Sequence, residues 1–186
     1  FSQLAPGVTQ EIRKATSADG KQMVYYLATA DMSNPYVTVN ANYNENDPST
    51  WKPARVLDQA NAAQEKRSDP DNKYYRENYQ IVAAINADGF NMSNGTPSGI
   101  LVMDGIEWNA PNQHGFFGIT HEGEAVIGTT LEYKNIYKGK IRDAVSGFGV
   151  RLVTDGKVSV TATESYYTER ASRTAVGITK TGKVVF

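Results

Sequence analysis

Residues 84–105 read "AINADGFNMSNGTPSGILVMDG", a short apolar run, a block of small polar residues, and a second apolar run that ends in Asp104-Gly105. Upstream the apolar run extends back to Ile81, so Ile81-Val82-Ala83-Ala84-Ile85 carries the signature of a buried strand. On that basis residues 86–99 connect two core strands, and Asn86 and Asp88 come directly off the end of the first. A strand end fixes the direction of a side chain, which is what a reactive or binding group needs. The same Gly, Asn, Ser and Pro content also serves any ordinary connection between strands.

The Asp104-Gly105 pair belongs to a recurring signal. Asp19-Gly20, Glu122-Gly123, Asp155-Gly156 and Thr181-Gly182 likewise separate stretches with strand character. A polar residue followed by Gly tolerates the positive φ of a tight hairpin, so the chain is predicted to be a largely antiparallel β protein. The irregular spacing of these turns excludes a solenoid or propeller. One segment departs from the pattern. From Thr50 to Arg67, Ala54, Leu57, Ala60, Asn61 and Gln64 recur at helical spacing, with Val56 and Ala63 beside the stripe. With Pro53 in the first turn and Asp69-Pro70 as the stop, this predicts an amphipathic helix packed on the sheet. The next segment, "SDPDNKYYRENYQ" (68–80), is a surface loop or a second short helix, and its aromatic residues either pack or bind a sugar. The fold class is α+β.

With 186 residues the chain suits one domain with a real core. The 19 basic and 20 acidic residues nearly cancel, leaving no electrostatic footprint for nucleic acid or anionic membrane, so an anionic ligand must be held by a few local groups. The absence of cysteine removes disulfides, thiolate catalysis and sulfur-ligated zinc. No apolar stretch is long enough to span a membrane.

The segments "IVAAINADGFNMSNGTPSGILVMDG" (81–105), "FFGITHEGEAVIG" (116–128), "DAVSGFGVRLVTDGKV" (143–158) and "SRTAVGITKTGKVVF" (172–186), in that order, resemble the phosphodiester glycosidase family. The resemblance extends upstream through the helix and "LAPGVTQ" (4–10), and so covers nearly the whole chain. It implies hydrolysis of a sugar 1-phosphodiester, releasing free sugar and leaving a phosphate monoester on the other partner. It also implies a secreted or cell-envelope location, as in bacterial members. Recurrent motif positions of the family fall on Asn86, Asp88 and Arg173.

A guanidinium binds two oxygens of a phosphodiester at once, which makes Arg173, with Thr174 beside it, the first candidate for the phosphate. The plain alternative is a surface arginine paired with Glu164 or Glu169. Departure of phosphate from an anomeric carbon leaves positive charge on the sugar ring, which a carboxylate stabilises or meets by activating water. Asp88 fits either role, and fits turn formation with Asn86 and Gly89 equally well. Asn86 and Asn91 can donate to phosphate or sugar hydroxyls, and Ser98 and Gly99 offer backbone donors. His114 precedes an apolar strand and, as a histidine, can serve as acid or base near neutral pH; His121 belongs to an exposed turn. No cofactor is evident. Asp and Asn are frequent enough that a hard cation such as calcium fits the composition.

Two other functions fit the same residues. One is a carbohydrate-binding or cell-surface interaction module that holds glycan without cleaving it, and the other is a phosphodiesterase that cuts the phosphorus–oxygen bond. The resemblance also bears on the chain beyond Phe186. In the family the strand matching "GKVVF" continues into an Asp-Gly-Arg segment, a helix and a strand ending in Asp-Gly-Gly-Gly-Ser. Residues 1–186 are therefore expected to be a domain incomplete at its C-terminus, finished by a further segment or a second chain. Val184–Phe186 is expected to lie inside a sheet while exposing a strand edge.

Overall fold

The computed structural model describes residues 2–43, 51–147, 151–160 and 168–186. It opens with β1 (Ser2–Ala5), β2 (Val8–Thr16) and β3 (Gln22–Ala30), followed by helix α1 (Val56–Ser68). Next come β4 (Leu101–Met103), β5 (Ile106–Asn109), β6 (Phe116–Thr120) and β7 (Ala125–Gly128). A short α2 (Thr130–Glu132) runs into a π-turn at Tyr133–Tyr137 and leads to β8 (Ile141–Ser146). The small hairpin β9 (Val153–Thr154) and β10 (Lys157–Val158) and the pair β11 (Gly177–Ile178) and β12 (Val184–Val185) complete the described chain. The fold is α+β and mostly antiparallel, and all five polar-Gly turns place their glycine at positive φ, from 76° to 88°.

Two five-stranded sheets carry the architecture, in the orders β1-β2-β3-β12-β11 and β5-β4-β8-β6-β7. Every pairing within them is antiparallel. All five residues of β6 are buried, because this strand has core on both faces. Phe116 joins Ile100, Val102, Tyr133, Ile141 and Ala144 on one face, where its ring meets Tyr133 edge-on at 5.5 Å. The next residue, Phe117, points the other way and packs with Ala30, Ile119 and Val184 from both sheets.

Val184 is 0% exposed, as expected for a strand inside a sheet. The expected edge is not there. Strand β12 lies between β11 and β3, and beyond it Phe186 exchanges backbone hydrogen bonds with Ala28 at 2.8 and 3.0 Å. A partner distant in sequence supplied the ladder that the short hairpin could not.

The helix differs from its expected bounds and face. It begins at Val56, after Arg55 in extended conformation, so Pro53 precedes it rather than occupying its first turn; Thr50 lies outside the described residues. Leu57, placed in the buried stripe by spacing, is 65% exposed, and Asn61 is exposed as well, whereas Ala63 is buried. The inward face is rotated because polar contacts orient it. The Gln64 amide donates to Tyr79 O at 2.9 Å and accepts from Ile81 N at 2.7 Å, so one side chain pairs with the passing backbone as a strand would. Residues 69–79 form successive turns rather than a second helix.

The largest departure concerns Ile81–Ile85. This run belongs to no sheet among the described residues, and Ile85 is 40% exposed. Apolar β-branched residues favour a pleated, paired setting without supplying the neighbour that pairs them. Apart from the Gln64 contact at Ile81, no described strand runs alongside.

Candidate functional site

The block 86–99 is built around Asp88. Its carboxylate accepts the backbone N–H of Gly89 at 2.8 Å and of Gly99 at 2.5 Å, while Ser98 N donates to Gly89 O at 2.8 Å. The loop closes on itself immediately before β4. Two asparagines clamp its far end. Asn109, closing β5, donates to Pro97 O and Gly99 O at 3.1 and 2.7 Å, and Asn112 donates to Ser98 O at 2.7 Å.

Asn112 also sets the position of His114. Its amide oxygen accepts the His114 backbone N–H at 2.8 Å, and the Thr130 hydroxyl at the start of α2 bridges the carbonyls of Asn112 and His114. Asn112 thereby ties the His114 backbone to Ser98, the residue before Gly99, whose N–H Asp88 accepts. Burial pushes the Asp88 carboxyl above the ordinary aspartate range, opposed by the N–H donors of Gly99 and Gly89 and by His114. A half-buried carboxyl with its proton affinity raised, beside a histidine, is an arrangement suited to acid–base or charge-stabilising work.

Gly99 is required by a close approach. A Cβ at this position would collide with Ser146, which is buried at the end of β8 and donates to Gly115 O at 3.1 Å. Gly99→Ala is therefore expected to destabilise the protein by about 1–3 kcal/mol through overpacking. Urea denaturation measures this, and an unchanged midpoint would mean that the loop moves aside without cost.

Asn86 is exposed, and with Ile81–Ile85 unpaired it does not sit at a strand end. It is tied instead to the distant segment before β11, where the Thr174 hydroxyl donates to its amide oxygen at 2.7 Å. Arg173 adjoins that contact in the chain. Its guanidinium is exposed and donates to Ser172 O and Glu169 O, both at 3.2 Å. Asn91 serves the loop itself: its side-chain oxygen accepts Ser93 N and the Ser93 hydroxyl at 2.9 and 2.6 Å. The structure thus gathers Asp88, Ser98, Gly99 and His114 in one place and joins Asn86 to Thr174, while Asn91 shapes the turn beyond. The sequence patterns that point to the other candidates do not single out Asn109, Asn112 or Ser146. The Asx-turn spacing of Asn112 and His114 in "NAPNQHG" was the available sign. Among the described residues no three His, Asp or Glu side chains are grouped so as to hold a metal ion.

The fold is shared with a known enzyme structure. The chain is similar to the zebrafish N-acetylglucosamine-1-phosphodiester alpha-N-acetylglucosaminidase catalytic domain, solved in a form auto-inhibited by its pro-peptide, with a TM-score of 0.71 at 17% identity. The match covers 99% of this chain and 62% of that one, so the chain spans less than two thirds of the structure it resembles. The phosphodiester glycosidase family model matches residues 79–186, and the chain belongs to that family. No curated protein matches it.

Proposed function

We propose that this protein is a hydrolase that cleaves the glycosidic bond of a sugar 1-phosphodiester, releasing free sugar and a phosphate monoester. Family membership supports the class of reaction, and the observation that carries the reading is Asp88, half-buried, fed by two backbone N–H groups and close to His114. In this reading the ionised Asp88 stabilises the positive charge that develops on the sugar ring or activates the attacking water, and His114 exchanges a proton with it. Asn86, Thr174, Asn91 and the backbone of Ser98 and Gly99 bind the sugar and phosphate oxygens. A secreted or cell-envelope location fits a glycan substrate. A completing polypeptide, either a further C-terminal segment or a second chain, belongs to the same reading, with the run Ile81–Ile85 as the backbone it pairs. No helix among the described residues is long and apolar enough to cross a membrane.

The test is incubation with a panel of sugar 1-phosphodiesters in isotopically labelled water. Glycosidic cleavage puts the label on the sugar, whereas phosphoryl cleavage puts it on the phosphate and rejects the proposed bond. Binding of the same compounds without turnover would favour a carbohydrate-binding module.

Arg173 holds the phosphate in this scheme. Arg173→Ala is expected to remove a charge-assisted contact of about 1.5–3 kcal/mol, or roughly one to two decades of kcat/KM. Arg173→Lys should restore only part, because an ammonium lacks the two-pronged geometry. Full activity in the Ala variant would reject the role. The scheme uses no cofactor, so EDTA is expected to leave the rate unchanged; a loss reversed by added calcium would place a cation in the site.

A further inference from the structure

The far end of β4 from Gly99 carries a second concave region whose chemistry differs from that of the Asp88 loop. The last turn of helix α1 carries Arg67, and the turns after it fold back until the Arg76 backbone N–H donates to Arg67 O at 3.0 Å. Two guanidinium-bearing residues nine positions apart are thereby brought to one cleft. The Arg67 guanidinium lies over the Tyr79 ring at 4.9 Å from its centroid, and the Tyr79 hydroxyl donates to Asn40 at 3.2 Å. A third, Arg142, is pinned from behind by Asp143 at 2.7 Å, the Thr38 hydroxyl at 3.0 Å and Val39 O at 2.8 Å. Together these arginines line a cleft of about 270 Å³.

A second cleft, also of about 270 Å³, adjoins the first and shares Arg76 and Asp104 with it. Its walls are Lys73, with its ammonium 4.9 Å from the Tyr74 ring centroid, Tyr74 itself, and Trp108 from β5. Across both clefts Lys73, Arg67, Arg76 and Arg142 face Asp104, with the Asp143 carboxylate engaged behind Arg142. The whole chain has a formal charge of −1, so this excess of cations is local. Like charges crowded into a concave surface repel one another and are relieved by an anion. Planar guanidinium groups suit the oxygens of a phosphate or carboxylate, and aromatic faces beside them suit the apolar face of a sugar ring.

We propose that this groove is a second binding site, for an anionic carbohydrate, with the acidic group between Arg67, Arg76 and Arg142 and the sugar ring against Tyr74 and Trp108. It is separate from the Asp88 loop. Gly99 precedes β4 and Asp104 follows it, and no residue of the 86–99 loop lines either cleft. The proposal does not depend on whether Asp88 catalyses anything.

Calorimetric titration of the purified protein with glucose 6-phosphate, glucuronate, glucose and inorganic phosphate tests it. The sugar phosphate or the sugar acid is expected to bind, and the stronger of the two identifies the acidic group. Glucose and inorganic phosphate should each bind at least tenfold more weakly. Arg76→Ser, an exposed position, should weaken the anionic sugar at least tenfold, and Tyr74→Ala, through a different side chain, should also weaken it. Arg173→Ala, altered in the proposed catalytic site, should bind as the parent does. No detectable binding of either anionic sugar at millimolar concentration overturns the proposal. So does a loss confined to Arg173→Ala, and so does inorganic phosphate binding as tightly as the sugar phosphate, which would leave the aromatic wall without a role.

Discussion

Asp88→Asn is expected to lower kcat/KM on a cleaved sugar 1-phosphodiester by about two to four decades, the range lost when a positioned acid–base group is removed. The amide keeps the size of the carboxylate and can still accept one of the two N–H donors. Its NH2 group, however, would face the other, Gly89 N or Gly99 N, so a small loss of stability accompanies the change. Thermal melting separates the two effects, since a loss of about 1 kcal/mol moves Tm by roughly 2–4 °C in a domain of this size. The pH profile adds an independent check. Burial raises the Asp88 carboxyl above the ordinary 3.8, so the native protein holds this proton more tightly than the unfolded chain does. The working ionised form therefore accumulates only as pH rises through the raised value, and the acid limb of activity should lie above that of an ordinary aspartate. The same shift means that the ionised carboxylate costs stability at neutral pH, a cost that disappears on acidification through the raised pKa. Activity in Asp88→Asn within threefold of the parent would remove Asp88 from the mechanism.

The largest effect on stability is expected at Arg142. Its neighbour Asp143 is only 3% exposed, accepts Asn40 Nδ2 at 3.1 Å and Ala41 N at 3.2 Å, and is paired with the Arg142 guanidinium at 2.7 Å. Burial pushes the Asp143 carboxyl up and Arg142 opposes that push. Removing the guanidinium leaves a buried carboxylate with hydrogen bonds but no counter-charge, a defect of about 3–5 kcal/mol. The Arg142 contacts to Thr38 and Val39 disappear with it. Arg142→Ala should thus show a much lower urea midpoint at neutral pH. Protonation of Asp143 relieves the defect, and the proton is bound more tightly in the native state, so the deficit should shrink as pH falls toward the raised pKa. Equal deficits at neutral and acid pH would mean that lost packing rather than the unpaired charge carries the effect.

Short-range chemistry in this chain is legible from the sequence, and the reason is local sterics. A polar residue followed by Gly adopts the positive φ of a tight turn wherever it falls, so all five hairpin turns and the antiparallel class come from residue order alone. Asp69-Pro70 ends α1 for an equally local reason. The family is legible too, because the four ordered segments that carry the resemblance all lie within residues 79–186, the span that the family model matches. Asp88 and His114 were recognisable as candidates, but nothing local says that Asn112, tied to Ser98 O and to His114 N, would bring them near each other. What tertiary structure alone decided are the pairings between distant segments. Ile81–Ile85 has every local mark of a buried strand and lies unpaired among the described strands, because propensity describes a residue's fit to a sheet and not the presence of a neighbour. Val184–Val185 has too short a hairpin to pair well and is the best buried strand in its sheet, because β3 comes to meet it. Leu57 turns to solvent while Gln64 turns inward, since the helix is oriented by two hydrogen bonds to a segment that spacing within the helix cannot report.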